Sequence, residues 1–189
     1  MKATATEQPG TFFRYGNTQA GQVPFNIRQG TQTNPDENVQ NQHWEYDYVE
    51  VAENTRNEII SAVIRSKYPQ NAAEALLANF QKGEKIVEFM QFQNFRDLAK
   101  AVAAGKRQAT ELEEFYNRKV IEITLPFNET LAGGKYAALA DYALKAKNFS
   151  VADVQNNIAR VYVSWLLPQH SQLLANDTAV TITEHQGIK

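Results

Sequence analysis

A helical segment that is interrupted twice, between Asn54 and Ala104, constrains the fold of this chain most strongly. Apolar residues recur in it at spacings of three and four, which is the pattern of amphipathic helices that bury one face. Pro69 ends the first helix, because proline has no amide to donate and pushes the preceding residue out of helical geometry. Gly83 can take the left-handed conformation that ends the second. The segment predicts three helices, Thr55–Tyr68, Ala72–Lys82 and Glu84–Ala104.

Weak strand signals precede these helices. Thr11–Tyr15 and Gln22–Arg28 are short aromatic or alternating runs bounded by glycines, which predicts two strands joined by a turn. Gly30–Gln42 is rich in Thr, Gln, Asn and Pro and has almost no apolar residues, so it is predicted to be a mobile loop.

Trp44–Val51 alternates with a period of two and predicts a further strand. Trp44, Tyr46 and Tyr48 then share one face, which we expect to pack against the helices that follow. Stacking on a ligand is the less common use of aromatic residues in strands, because burial explains them more often. The three residues are nevertheless candidates for an interaction surface.

The pattern changes after Gly105, and the sequence predicts a domain boundary there, with a strand-and-helix domain at 1–105 and an α+β domain at 106–189. Alternation and helical spacing predict the elements of the second domain. These are a strand at Lys119–Leu125, helices at Tyr136–Lys147 and Leu167–Asn176, and a strand at Ala179–Glu184.

The stretch between Asn148 and Leu166 fits two structures. A β-hairpin would join Phe149–Val154 to Ile158–Trp165 through a three-residue loop, which sets Val151 opposite Val161. A helix over residues 150–166 also fits, since apolar residues recur at spacings of three and four. The β-branched and aromatic residues of the second run favour the hairpin.

With the hairpin, the second domain has a β-α-β-β-α-β order, which is the ferredoxin-like arrangement. Its first and last strands lie side by side in that arrangement, so Ile121 or Ile123 should lie close to Val180 or Ile182. The sheet face turned away from the two helices is then a candidate partner surface, because Arg and Tyr are enriched at binding hot spots. Its candidate residues are Glu122, Arg160 and Tyr162.

Composition limits the possible partners. Nineteen basic and 21 acidic residues give a net charge of −2, so no attraction to nucleic acid or to an anionic membrane surface is expected. The chain has no cysteine and thus no disulfide or thiolate chemistry. It also lacks an apolar run near the roughly 20 residues of a spanning helix and a secretory signal, which predicts a protein of the cytoplasm.

The residue types that carry catalysis do not form a recognisable constellation. His43, His170 and His185 lie in different predicted elements, so no metal site is expected. The turn Ala132–Lys135 (AGGK) could in principle hold an anion at a helix start, but it lacks the full phosphate-loop spacing. The sequence predicts no cofactor and no enzyme activity.

Four stretches together resemble small proteins encoded in the tail-gene region of phages and prophages of gut bacteria. They are WEYDYVEV at Trp44–Val51, NEIISAVIRSKYP at Asn57–Pro69, ALLANF at Ala75–Phe80 and EFMQFQNFRDLAKAV at Glu88–Val102. In that group a strand of the type WEYDEV precedes a helical IISALIRxRY. The resemblance covers about residues 10–105 and implies no catalytic residue.

The resemblance implies a non-enzymatic structural or assembly protein that acts through protein–protein contacts. Its partner would be a second copy of the chain or a phage tail component, in the host cytoplasm or on the virion. A protein of another class remains the alternative, namely a regulatory module that binds a small molecule through the C-terminal α+β unit.

Overall fold

The computed structural model describes residues 1–34, 39–145 and 149–188. In these residues it contains helices and two antiparallel sheets of four strands each, so the predicted α+β class is confirmed. Besides a short 3-10 helix at Phe127–Thr130, the elements in chain order are β1 (Lys2–Ala5), β2 (Phe13–Arg14), β3 (Gly21–Asn34), β4 (Val39–Val51), α1 (Arg56–Lys67), α2 (Gln70–Gln81), α3 (Ile86–Ala103), α4 (Ala109–Tyr116), β5 (Val120–Pro126), α5 (Ala137–Lys145), β6 (Phe149–Asp153), β7 (Ile158–Val163), α6 (Pro168–Leu174) and β8 (Thr181–His185).

The chain divides into two compact units that are not continuous in sequence. Unit 1 consists of Met1–Ala73 and Asn94–Tyr116, and unit 2 of Glu74–Gln93 and Asn117–Lys189. This division differs from the predicted one at residue 105. Most of α2 and the start of α3 belong with the C-terminal strands, whereas α4 belongs with the N-terminal sheet.

The sheet of unit 1 has the strand order β1-β4-β3-β2, and β3 and β4 form a long hairpin in its centre. Gly30 pairs with His43 and Asn34 with Val39, so residues 30–34 and 39–42 are strand where a mobile loop is predicted. Residues 35–38 lie outside the described part. The paired backbone and the β-branched threonines Thr31 and Thr33 stabilise a strand even where no apolar residue marks it.

The buried face of β4 is the one that carries Val49 and Val51, and these lie in the core with Val23 of β3. Trp44, Tyr46 and Tyr48 on the other face are only half-buried, so the aromatic face is not the main core face of β4. Its packing against the helices stays a prediction. Valine is fully apolar and fills a tightly packed core, whereas tyrosine keeps a hydroxyl that is best left near water.

The three predicted helices of the central segment are present as α1, α2 and α3. Thr55 caps α1, since its side chain accepts a hydrogen bond of 3.4 Å from the amide of Glu58. Gly83 and Gly105 have φ angles of +76° and +101°, which is the left-handed geometry expected after a helix end.

The predicted hairpin in unit 2 is present as β6 and β7, so the alternative of a helix over residues 150–166 is wrong. Its predicted register is also wrong: Val151 pairs with Arg160 rather than with Val161. The loop between the strands has four residues, 154–157, and Asn157 takes a positive φ of 54° there. One extra loop residue shifts the pairing by one position, which moves β6 to the other register.

The sheet of unit 2 has the order β6-β7-β5-β8 and is antiparallel throughout. Ile123 pairs with Ile182, which confirms the predicted neighbourhood of the first and last strands.

One face of this sheet forms a core with α5 and α6, in which Ile123, Val161 and Leu139 are buried. On the other face Val120 and Tyr162 pack against Ile86 and Met90 of α3. Among the described residues, no helix has the length and apolarity needed to cross a membrane.

Candidate functional site

The first predicted surface is the aromatic strip of β4, which consists of Trp44, Tyr46 and Tyr48. All three side chains are half-buried, and the rings of Tyr46 and Tyr48 lie 6.4 Å apart at an angle of 53°. The strand alternation places them on the face opposite Val49 and Val51. β1 and β3 flank β4 on either side, so the strip lies in the middle of the sheet rather than at its edge.

A groove of about 430 Å³ opens mainly on the face of the sheet opposite this strip. It is lined by Lys2, Ala3 and Thr4 of β1 and by Arg28, Glu45 and Tyr46 of the central hairpin. Its walls carry charges of both signs and one aromatic ring, which is typical of a polar contact surface at the rim of a protein interface.

The second predicted surface brings Glu122, Arg160 and Tyr162 together. The hydroxyl of Tyr162 donates to Oε1 of Glu122 at 3.3 Å, and Nε of Arg160 lies 3.8 Å from the same oxygen. Glu122 and Tyr162 are direct cross-strand partners, which explains the contact. His185 completes the group, with Nε2 3.0 Å from Oε2 of Glu122. The sequence reasoning missed it, because only the pairing of β8 with β5 brings it there.

This second surface is largely covered. Tyr162 is 7% exposed beneath Ile86 and Met90, and burial, followed by the nearby charge of Glu122, raises its pKa to about 12. Its phenol therefore remains a neutral hydrogen-bond donor at physiological pH. Arg160, whose side chain is 46% exposed, is the member that a partner can reach most easily. The predicted interaction role of these residues remains a prediction.

A polar cluster that the sequence reasoning missed lies on the buried face of the first sheet. Arg28 donates through Nε to Glu45 at 3.1 Å, and His43 lies 3.4 Å from the other carboxylate oxygen. Asn26 donates to Asp47 at 2.8 Å. The His43-x-Glu45 spacing on a strand was a signal for half of this cluster, because residues two apart share a face.

A β-bulge in β3 builds the other half of the cluster. The register shifts between Phe25 and Arg28, and Asn26 takes a positive φ of 52° there. Gly30 leaves the space for His43 and Glu45, since a Cβ at this position would lie 2.8 Å from an atom of each. Neither the bulge nor this close approach could be located from the sequence.

Tyr116 of α4 lies beside this cluster. Burial, followed by the charge of Asp47, raises its pKa to about 12, while Arg28 opposes the shift. The carboxylates of Glu45 and Asp47 have partners in Arg28 and Asn26. The two carboxylates next to the core of the first sheet thus have hydrogen-bond partners. This arrangement fits a structural role better than proton transfer.

The turn at Ala132–Lys135 is filled by the protein's own carboxylates. The amide of Lys135 donates to Glu129 at 2.9 Å, and the ammonium of Lys135 pairs with Asp177, which also accepts from the hydroxyl of Tyr136. Gly134 is required sterically, because a Cβ there would lie 2.4 Å from the carbonyl oxygen of Glu129. The groups that would hold a bound anion are thus engaged within the chain.

The three histidines are held in different places. His43 and His185 lie next to Glu45 and Glu122, whereas His170 is buried with its ring 4.9 Å from that of Tyr142. In the ranges that the structure describes, no three His, Asp or Glu side chains are grouped so that they could hold a metal ion.

Comparison with models of known protein families, with curated proteins and with solved structures finds no match to this chain. The choice between candidate surfaces therefore depends on their geometry. The aromatic strip of β4 combines partial exposure with large rings, whereas most of the charged groups described above have partners within the protein.

Proposed function

We propose that this chain is a non-enzymatic structural or assembly protein of phage or prophage origin that acts through protein–protein contacts. The observation that carries the proposal is the aromatic strip of β4, Trp44, Tyr46 and Tyr48, which is only half-buried in the middle of a sheet. Trp and Tyr are the residues most enriched at binding hot spots, because they bring a large contact area at a low cost in side-chain entropy.

The surroundings of the strip support the same reading. A groove on the opposite face of the same sheet contains Lys2 and Arg28 together with Glu45, so the charges of this sheet are of both signs. An interface of this composition suits a protein partner better than a nucleic acid, which would select for a basic surface. The partner is a tail component or a second copy, encountered in the host cytoplasm or on the virion.

We further propose that residues 120–185 are a ferredoxin-like unit. The support is the antiparallel order β6-β7-β5-β8, together with one helix between β5 and β6 and another between β7 and β8. In this unit the second face of the sheet carries α3 over Val120 and Tyr162, so Arg160 is the part left for a partner.

The experiment starts from the neighbouring genes, which should encode tail, baseplate or fibre proteins. The chain is co-expressed with each neighbouring product, and stable co-purification is expected for one of them. The triple variant Trp44→Ala, Tyr46→Ala, Tyr48→Ala should abolish co-purification while the far-UV circular dichroism spectrum stays unchanged, because these side chains are outside the core.

Trp165→Ala is the matched control, because this tryptophan is 56% exposed and lies in unit 2. It should leave co-purification intact. A gene neighbourhood without tail proteins, or a strip variant that still binds, would count against the proposal.

A further inference from the structure

β8 ends the second sheet with an open edge. Four of its five residues are exposed, among them Ile182 with 46% of its surface accessible. In the described part of the chain β8 pairs with β5 alone. Soluble proteins commonly protect such edges with proline, lysine or a bulge, and Thr181–His185 contains none of these.

The hydrogen-bond pattern along β5 shows which backbone groups of β8 point away from the sheet. The amide of Phe127 donates to the carbonyl of Asn157, which continues the pairing of β5 with β7, and Pro126 beside it has no amide. Hydrogen-bonded and non-hydrogen-bonded pairs alternate along antiparallel strands. Glu122 and Thr124 therefore bond to β8, and the N–H and C=O groups of Ile182 and Glu184 point away from the sheet.

We propose that β8 pairs with β8 of a second copy, antiparallel and with the two-fold axis at Ile182. Ile182 then faces Ile182 of the second copy, Thr181 faces Thr183, and Val180 faces Glu184. The two sheets join into one of eight strands, and the N–H and C=O of Ile182 bond to those of the second Ile182. The N–H of Glu184 meets the C=O of Val180, whose own N–H donates to Asp177 within its chain.

Charge and apolar contact select this register. It buries the exposed Ile182 side chains against each other, on the same face as the buried Ile123. Glu184 is the acidic residue of the strand, and it faces Val180 in this arrangement. An axis at Glu184 would set two carboxylates directly opposite each other, each paired with Lys119 of its own chain, and it would leave Ile182 without an apolar partner across the axis.

One short strand pair buries less than the roughly 1,000 Å² typical of stable interfaces, so the dimer should be weak, with a dissociation constant of about 10 µM to 1 mM. This inference goes beyond the proposed function and does not depend on it, because β8 belongs to unit 2 and the aromatic strip to unit 1.

Sedimentation equilibrium of the full chain over a range of concentrations tests the proposal. Wild type should dimerise, and Ile182→Lys and Ile182→Glu should each weaken association at least about tenfold, because the axis sets like charges opposite each other. An equimolar mixture of the two variants should recover association, since it pairs opposite charges. Leu77→Lys is the control, because Leu77 is also 46% exposed but lies on α2.

A cross-link gives a second readout on the same axis. The chain has no cysteine, so Ile182→Cys introduces a single thiol. Directly paired residues have Cα atoms about 5.5 Å apart, within the range of a disulfide. With oxidised glutathione, Ile182→Cys should form a covalent dimer faster than Leu77→Cys. A monomeric wild type, equal cross-linking rates, or a mixture of Lys and Glu variants that associates no better than either alone would overturn the proposal.

Discussion

Asp177 connects the start of α5 to the segment before β8 through a single carboxylate. Lys135 and Tyr136 bond to it, and so does the amide of Ala179 at 2.9 Å. The hydrogen bond from Lys135, followed by those from Tyr136 and the amide of Ala179, holds the pKa of Asp177 well below its usual range. The carboxylate therefore favours the folded state while it is ionised.

The first prediction concerns the pH dependence of this contribution. Because the pKa of Asp177 is lower in the folded than in the unfolded state, its stabilising effect is complete above the unfolded pKa of about 4 and decreases as the pH falls below it. Asp177→Asn should be less stable than wild type at pH 7, and the difference should shrink as the pH falls below 4. Urea unfolding across that range measures it, with exposed Glu53→Gln as the control. A difference that is constant with pH would contradict this role.

The second prediction compares three glycines. A Cβ at Gly134 would meet backbone atoms of Glu129 at 2.4 to 2.8 Å, whereas one at Gly30 would meet movable side-chain ends of Glu45 and His43. Gly134→Ala should lower the free energy of unfolding by about 1–3 kcal/mol, and Gly30→Ala by less. Gly10→Ala should have almost no effect, because nothing lies within 4 Å of that position. Thermal or urea unfolding measures the loss of stability in each variant. Equal losses in Gly134→Ala and Gly30→Ala would refute the prediction.

At the scale of elements, helices were easier to predict than strand pairings. Pro69, Gly83 and Gly105 act on the chain next to them, so the helix ends could be read locally. The register of β6 and β7 depended on whether the loop has three or four residues, and two adjacent asparagines allow both. The ribbon of β3 and β4 is stabilised by pairing between polar residues, which leaves no hydrophobic pattern to detect.

The candidate residues show the same limit. Alternation correctly grouped Trp44, Tyr46 and Tyr48, but it could not tell which face of β4 the core would take. Glu122 and Tyr162 were grouped correctly, because both were predicted to lie on the sheet face turned away from the two helices. The cluster of Arg28, Glu45 and Asp47 depends on a bulge, and His185 depends on strand order, so local patterns could not reveal either.

The third prediction concerns the β3–β4 ribbon. Near Val23 and Val49 the hairpin belongs to a four-stranded sheet with a buried face, whereas near Thr33 and Gln40 it is paired only with itself and is exposed where its side chains are described. Two-stranded ribbons are marginally stable alone. Amide hydrogen exchange should therefore be slow at Val23 and Val49 and faster at Gln32, whose N–H also points at the partner strand. Equally slow exchange along the whole of β3 would mean that something else protects the ribbon.

At the scale of the whole molecule, the second sheet depends on residues far earlier in the chain. Ile86 and Met90 cover Val120 and Tyr162, with Phe80 and Val87 packed beside them. A C-terminal fragment that begins at Ala109 lacks all four of these apolar side chains. It would leave one face of the second sheet uncovered, so it would not reproduce the structure of unit 2.

The fourth prediction tests this cover in the full chain. Met90 is 3% exposed, so Met90→Ala should cost about 2–4 kcal/mol of stability through lost contacts and a cavity. Met90→Leu keeps the volume and should cost less than about 1.5 kcal/mol. Hydrogen exchange of the alanine variant should rise in β5 and β7. If both variants were as stable as wild type, the contact of α3 with this sheet would not contribute to folding.

The discontinuity of unit 2 also affects how the chain is made. The ribosome releases α2 and the start of α3 well before β5 and β7, which are needed to cover Ile86 and Met90. At about 5–20 residues per second, these apolar side chains stay exposed for roughly several seconds. During that interval the nascent chain is a substrate for chaperones and proteases, and a ribosome that stalls before β7 leaves Ile86 and Met90 without Tyr162 to cover them.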